Sequence, residues 1–145
     1  MSFDEWVKNG WLETHRSSRE EIQNLLRIVR RDLKDSQSKE VSNDWRFAIA
    51  YNAALQAATA ALAAAGYRAS RDSHHYRVIQ SLSLTLGKGA EFIRSFDAFR
   101  KKRNVSNYDI GGGVSDQELR EMKAMAGTLR EEVENWIHSR YRSLL

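Results

Sequence analysis

Apolar side chains recur along this chain at steps of three and four, the repeat of one helical face, and nowhere alternate long enough to make a strand of useful length. A short helix is expected from Phe3 to Leu12, interrupted at Gly10, with Trp6 and Trp11 as aromatics that dock on the rest. Ser18 and Glu21 open a second helix with the spacing of a capping box, in which each side chain satisfies the other's free amide. Ile22, Leu25, Leu26, Val29 and Leu33 form its apolar stripe, which fades in Ser36-Gln37-Ser38-Lys39. The third helix runs from about Asn43 to Ala65, with Ser42, Asn43 or Asp44 as its cap and Gly66 as its stop. Its inner face reads Phe47, Tyr51, Ala54, Leu55, Ala58 and Leu62, and its many alanines favour helix and let a neighbour approach closely.

The loop Tyr67 to Asp72 leads to a fourth helix with Val78, Ile79, Leu82 and Leu86 inward and Gly87 and Gly89 at its end. A fifth spans Ala90 to Tyr108, and Gly111-Gly112-Gly113 breaks the chain after it. A second capping box, Ser115 with Glu118, starts the last helix. Its seam of Leu119, Met122, Ala126, Leu129, Val133, Trp136 and Ile137 has near-heptad spacing and suits either the bundle core or a contact with a second copy. The expected fold is therefore all-α: an up-and-down, antiparallel bundle of about five helices, in one domain over residues 1–145.

Composition narrows the chemistry. With no Cys there are no disulfides, zinc–thiolate sites or cysteine nucleophiles, and a reducing cytoplasm suits such a chain. No basic-then-apolar leader opens it, and the run Ala48 to Ala65 is broken by Asn52, Gln56 and Thr59, too weakly apolar for a membrane span. The net charge of +4 suits anionic partners such as nucleic acid or nucleotide phosphates, or simply a soluble surface. The basic residues cluster as Arg27, Arg30, Arg31 and Lys34; as Arg68, Arg71, His74, His75 and Arg77; and most densely as Arg100 to Arg103. Gly87-Lys88-Gly89 lacks the strand and the remaining positions of a phosphate loop and reads as a turn. No cofactor and no metal site is expected.

The most informative stretch is Asp97 to Tyr108. Phe92, Phe96 and Phe99 mark one face, and the next position on it is Arg103 where another apolar residue is due. A guanidinium there is costly unless an anion or a hydrogen-bonding partner meets it. At about 100° per residue, Asn107, Arg100 and Asn104 lie within about 100° of Arg103, and Asp97 and Tyr108 at about 120–140°. A polar stripe thus runs beside the aromatic one. Asp97 either orients this group or forms ordinary ion pairs with Arg100 or Lys101.

The pattern Asp-x-x-Arg-x-x-Arg-Asn-x-x-x-Tyr, from Asp97 through Arg100, Arg103 and Asn104 to Tyr108, resembles the signature region of the HEPN family. The run Ala48 to Leu55 resembles that family's Ala-rich helix with its Tyr, and Gly66-Tyr67-Arg68 followed by His74-His75 resembles the start of its next helix. The resemblance covers roughly Ser18 to Ile137. It implies a small helical bundle that forms homodimers and is either a nucleotide-binding module or a toxin-type ribonuclease paired with a nucleotidyltransferase. Carried onto this chain, it implies that Arg103 contacts phosphate, that Asn104 orients Arg103 or reads the ligand, and that Tyr108 hydrogen-bonds or stacks. Arg100 and Lys102 would supply positive field.

The chain departs from the family's ribonucleases at one place. Tyr108 stands where their His is expected, and no His follows Arg103 until His138. A phenol titrates near 10 and is a poor base at neutral pH, whereas a neutral imidazole can take a proton from a ribose hydroxyl. The expectation is therefore phosphate binding with little or no catalysis. His74 and His75 are secondary candidates for the missing base if the start of their helix approaches Arg103; otherwise they cap that helix or pack on an aromatic. A third alternative is an interaction module with no ligand of its own.

Overall fold

The computed structural model describes residues 2–105 and 111–145. Among them are six α-helices: α1 Phe3–Lys8, α2 Arg19–Asp35, α3 Asn43–Ala64, α4 His74–Thr85, α5 Ala90–Asn104 and α6 Asp116–Arg140. Two short strands, β1 Leu12–Thr14 and β2 Tyr67–Ala69, pair antiparallel with Leu12 opposite Ala69 and Thr14 opposite Tyr67. The architecture is the expected all-α bundle, and its six helices are the six segments read from the spacing.

Helix α3 is the axis, packed against α2, α4, α5 and α6. The expected inner face understates it. Ala50, Ala53, Ala54, Ala57, Ala58, Ala60 and Ala61 are all fully buried, over an arc wider than the expected stripe, while Asn52, Gln56 and Thr59 are half-buried on the opposite side. A helix with so broad an apolar face belongs inside, and alanine lets several neighbours reach its backbone at once. By length and composition α3 is also the described helix apolar enough to cross a membrane, but most of it is buried inside this bundle.

Side-chain pairs set the helix directions. Arg46 Nε donates to the Ser36 carbonyl at 2.8 Å and Asn52 Nδ2 to Asp32 Oδ2 at 2.7 Å, so α2 and α3 run antiparallel. Lys102 meets Glu118 at 3.2 Å and Lys88 meets Glu132 at 2.5 Å, so α5 and α6 are antiparallel as well. Asn43 Nδ2 donates to Asp116 Oδ1 at 2.8 Å, which brings together the starts of α3 and α6. The α6 seam faces inward: Leu119, Met122, Ala126, Leu129, Val133 and Ile137 are buried, and Trp136 packs at its margin against Tyr141.

Local differences have local causes. Ser115 and Glu118 form the full reciprocal box. Ser18 caps the Glu21 amide at 3.1 Å, but the Glu21 carboxylate turns to His15 Nε2 at 2.8 Å instead of closing the box. Leu12, assigned by spacing to the first helix, and Tyr67 to Ala69, read as loop, are the two strands. Gly10, with φ +76°, ends α1 early, and two three-residue segments are too short to show alternation. Phe3 stacks on Tyr67 with centroids 4.4 Å apart, which ties the amino-terminal segment to the bundle, and Trp6 meets Trp11 edge-on at 5.5 Å within that segment. Gly87, at φ +73°, turns the chain so that the Lys88 amide returns to the Leu82 carbonyl, as the turn reading expects.

The burial of α3 beyond its expected stripe predicts that Ala57→Leu, at a fully buried position outside that stripe, destabilises the protein by about 1–3 kcal/mol. Urea unfolding measures this; an unchanged midpoint would show that this side of α3 has room to spare.

Candidate functional site

The aromatic stripe of α5 seats on α3. Phe99 meets Phe47 at 5.9 Å and Phe96 meets Tyr51 at 6.0 Å, both edge-on. Arg103 continues that line, half-buried, with its guanidinium carbon 5.7 Å from the Tyr51 ring centroid. Its Nη1 donates to Asn104 Oδ1 at 3.2 Å. The cation at the apolar position is therefore met by an aromatic face and an amide oxygen.

Tyr51 connects this group to α4. Its hydroxyl lies 3.2 Å from His75 Nδ1, donating in one imidazole tautomer and accepting in the other. Burial pushes the Tyr51 phenol well above its ordinary range, partly opposed by the positive charge of Arg103 and Arg100. Burial also lowers the pKa of His75, and Arg103, His74 and Arg100 lower it further. His75 is thus held as neutral imidazole at neutral pH.

A cleft of about 570 Å³ opens between the start of α4 and the last turns of α5. His74, His75 and Tyr76 line one side, and Asp97, Arg100, Lys101 and Asn104 the other. Asp97 takes both of its expected ion pairs, accepting from Arg100 Nε at 2.6 Å and lying 3.5 Å from Lys101 Nζ. It fixes Arg100 against the cleft wall rather than orienting Arg103. The first turn of α4 adds its own positive end, because Ser73 sits in the left-handed region at φ 54° and makes no side-chain cap.

The structure sorts the residues proposed from sequence. His74, His75, Asp97, Arg100 and Asn104 converge on the cleft. Arg103 stands beside it, next to the Tyr51 that holds His75. Lys102 turns away to Glu118 on α6, and its neighbour Lys101 faces the cleft in its place. Tyr108 lies outside the described residues. The other basic clusters are largely engaged in internal contacts: Arg68 pairs with Glu13, Arg77 lies over Trp11, Arg30 pairs with Glu134 and Arg31 with Asp32. Spacing did not single out Tyr51 or Tyr76 for the site. Tyr51 was read as core, which it also is, and only its reach across to α4 gives it a polar task.

No protein-family model matches the chain, and no curated protein or solved structure shows significant similarity to it.

The lowered pKa of His75 gives a pH dependence of definite sign. Its folded-state value lies below the unfolded 6.5, so the unfolded chain binds the proton first as pH falls. The stability that the neutral ring contributes is complete above 6.5 and lost as pH drops through the depressed value. The thermal midpoint should fall between about pH 7 and pH 5, and His75→Gln should flatten that fall. Superimposable profiles would place the titration at another group.

Proposed function

We propose that this protein is a HEPN-like bundle that binds the phosphate of a nucleotide or RNA in the cleft between α4 and α5, with little or no catalysis. The observation that carries this reading is the convergence of Arg100, Lys101, Asn104 and the histidine pair on one cleft, with Arg103 beside it and Asp97 as its lining carboxylate. An open cavity rimmed by cations and amides is suited to an anion, and Arg100 offers a charge-assisted donor already oriented by Asp97. The family resemblance of the α5 segment supports the same ligand class. On this reading Arg100 and Lys101 contact phosphate, Arg103 supplies field from behind, and Asn104 steadies Arg103. Tyr108 would hydrogen-bond or stack, and Lys102 adds only general positive charge. The resemblance further suggests a homodimer and a nucleotidyltransferase-type protein partner.

A second reading, metal-independent RNA cleavage, draws on His75, a neutral imidazole in the cleft. There it would take the 2′-hydroxyl proton while that oxygen attacks the adjacent phosphorus. The 5′-oxygen leaves with a proton from water, and the product ends in a cyclic phosphate.

Isothermal titration with nucleoside monophosphates and a short RNA tests the first reading. Wild type should bind, more weakly as salt rises. Arg100→Ala should lose about tenfold or more, the scale of one hydrogen bond to a charged group. Arg103→Ala, which removes field rather than a contact, should weaken binding by less. Binding indifferent to both substitutions, or absent in wild type, would overturn the reading. For the second reading, RNA cleavage is compared between wild type and His75→Ala; equal background in both removes it.

A further inference from the structure

His75 lines the cleft with one of its ring nitrogens already engaged. Nδ1 lies 3.2 Å from the Tyr51 hydroxyl, while Nε2 has no hydrogen-bond partner among the described residues and is open to solvent. The ring is held neutral, so one nitrogen carries a hydrogen and the other a bare lone pair. Which is which decides what His75 can do. With the hydrogen on Nδ1, the free nitrogen is a base that can take a proton from a substrate. With the hydrogen on Nε2, it is a donor that can only hold an acceptor.

The surroundings of Tyr51 favour the second form. Tyr51 is 1% exposed, and His75 Nδ1 is the one hydrogen-bond partner of its hydroxyl among the described residues. If Nδ1 carried the hydrogen, the phenolic O–H would be a buried donor with no acceptor, which is costly. If Nδ1 is bare, the O–H donates to it and only oxygen lone pairs go unmatched, which folded proteins tolerate better. The phenol also keeps its proton, because burial holds it well above its ordinary range. Arg103 and Arg100 act on the same oxygen, and their positive charge draws its lone pairs toward α5 and turns its hydrogen toward His75. Asp97 acts in the opposite sense, but its carboxylate is paired with Arg100 and Lys101.

We propose that Tyr51 is a positioning residue that fixes His75 as its Nε2–H tautomer, so that His75 presents the cleft with a neutral hydrogen-bond donor and not a base. The tautomer stands on the Tyr51–His75 pair by itself; the donor role rests on the phosphate-binding reading above. Arg100 and Lys101 reach the cleft from α5, and His75 Nε2–H meets the same oxyanion from α4. It adds direction without adding charge to a site that already holds two cations. The same arrangement removes the lone pair that RNA cleavage through His75 would require.

The test is nitrogen NMR of the full chain, its histidines isotope-labelled, at about pH 8, above the range in which an imidazole charges. Long-range correlations identify the ring nitrogens, because Nε2 couples strongly to both carbon-bound ring protons and Nδ1 to one of them; His75→Gln identifies the His75 set. Nε2 should show the shift of a protonated nitrogen, and Nδ1 that of a bare nitrogen accepting a hydrogen bond. Tyr51→Phe, with its fold checked by thermal melting, should move Nδ1 toward the shift of a free bare nitrogen. Sodium sulfate is then titrated in at constant ionic strength. Sulfate carries no proton and can only accept, so it bonds to Nε2 only if that atom bears hydrogen. The Nε2 signal should shift and saturate. His75→Gln, whose amide can place a donor near the Nε2 position, should keep the sulfate affinity within about threefold, and the shorter His75→Asn should lose about tenfold, the scale of one hydrogen bond to a charged group. A protonated Nδ1, a mixture of tautomers, or an Nδ1 shift indifferent to Tyr51→Phe overturns the positioning role. Sulfate that binds without moving Nε2, or that binds His75→Asn as tightly as wild type, overturns the donor role and leaves the phosphate site standing. If neither sulfate nor inorganic phosphate binds, the phosphate reading falls and the donor role with it, while the spectrum still decides the tautomer.

Discussion

Everything in this molecule is hung on the burial of α3 among four neighbouring helices. Its many alanines let each neighbour pack close to its backbone, and most of the helix is withdrawn from solvent. Because α2 and α6 occupy two of its sides, α4 and α5 come together over Phe47 and Tyr51. Replacing the axis with larger side chains would move the walls of the site before touching any residue in it.

Tyr51 is where core and site meet. Its ring is buried, packs on Phe96 and lies under the Arg103 guanidinium, while its hydroxyl reaches His75. One side chain thus couples the apolar stripe of α5, a half-buried cation and an imidazole. The coupling has an electrical consequence. Burial and the neighbouring arginines both favour the uncharged ring of His75, so positive charge at the cleft comes from Arg100 and Lys101 rather than from histidine.

The placement of charge follows a similar economy. Outside the cleft, Arg30, Arg31, Arg68 and Arg130 are tied to carboxylates and Arg77 and Arg140 are laid over aromatic rings, so the modest net charge of +4 is not spread evenly in effect. Asp97 keeps the cleft from being a cluster of mutually repelling cations. It does so by pairing along its own helix, which also limits the freedom of Arg100. The amino-terminal segment is tied down by its aromatics, with Phe3 stacked on Tyr67 and Trp6 edge-on to Trp11, whose ring lies under Arg77 of α4.

Periodicity alone determined the helices, their order and most of the core, because a 3.6-residue repeat is written locally: the stripe of α2, the seam of α6 and the Phe92–Phe96–Phe99 line were legible without coordinates. It also marked Arg103 as out of place and grouped Asp97, Arg100 and Asn104 on one side of a helix. Neither strand was legible, since a three-residue segment gains its identity only from the partner it meets. Nor was the breadth of the buried face of α3, because alanine reads as neutral until neighbouring helices pack on it. Which of Lys101 and Lys102 faces the cleft depended on where Glu118 stands across the bundle. The part played by Tyr51, and the meeting of His75 with the end of α5, belong to the tertiary structure alone. Those contacts join residues far apart in the chain, and their geometry comes from how three helices cross, which no local pattern encodes.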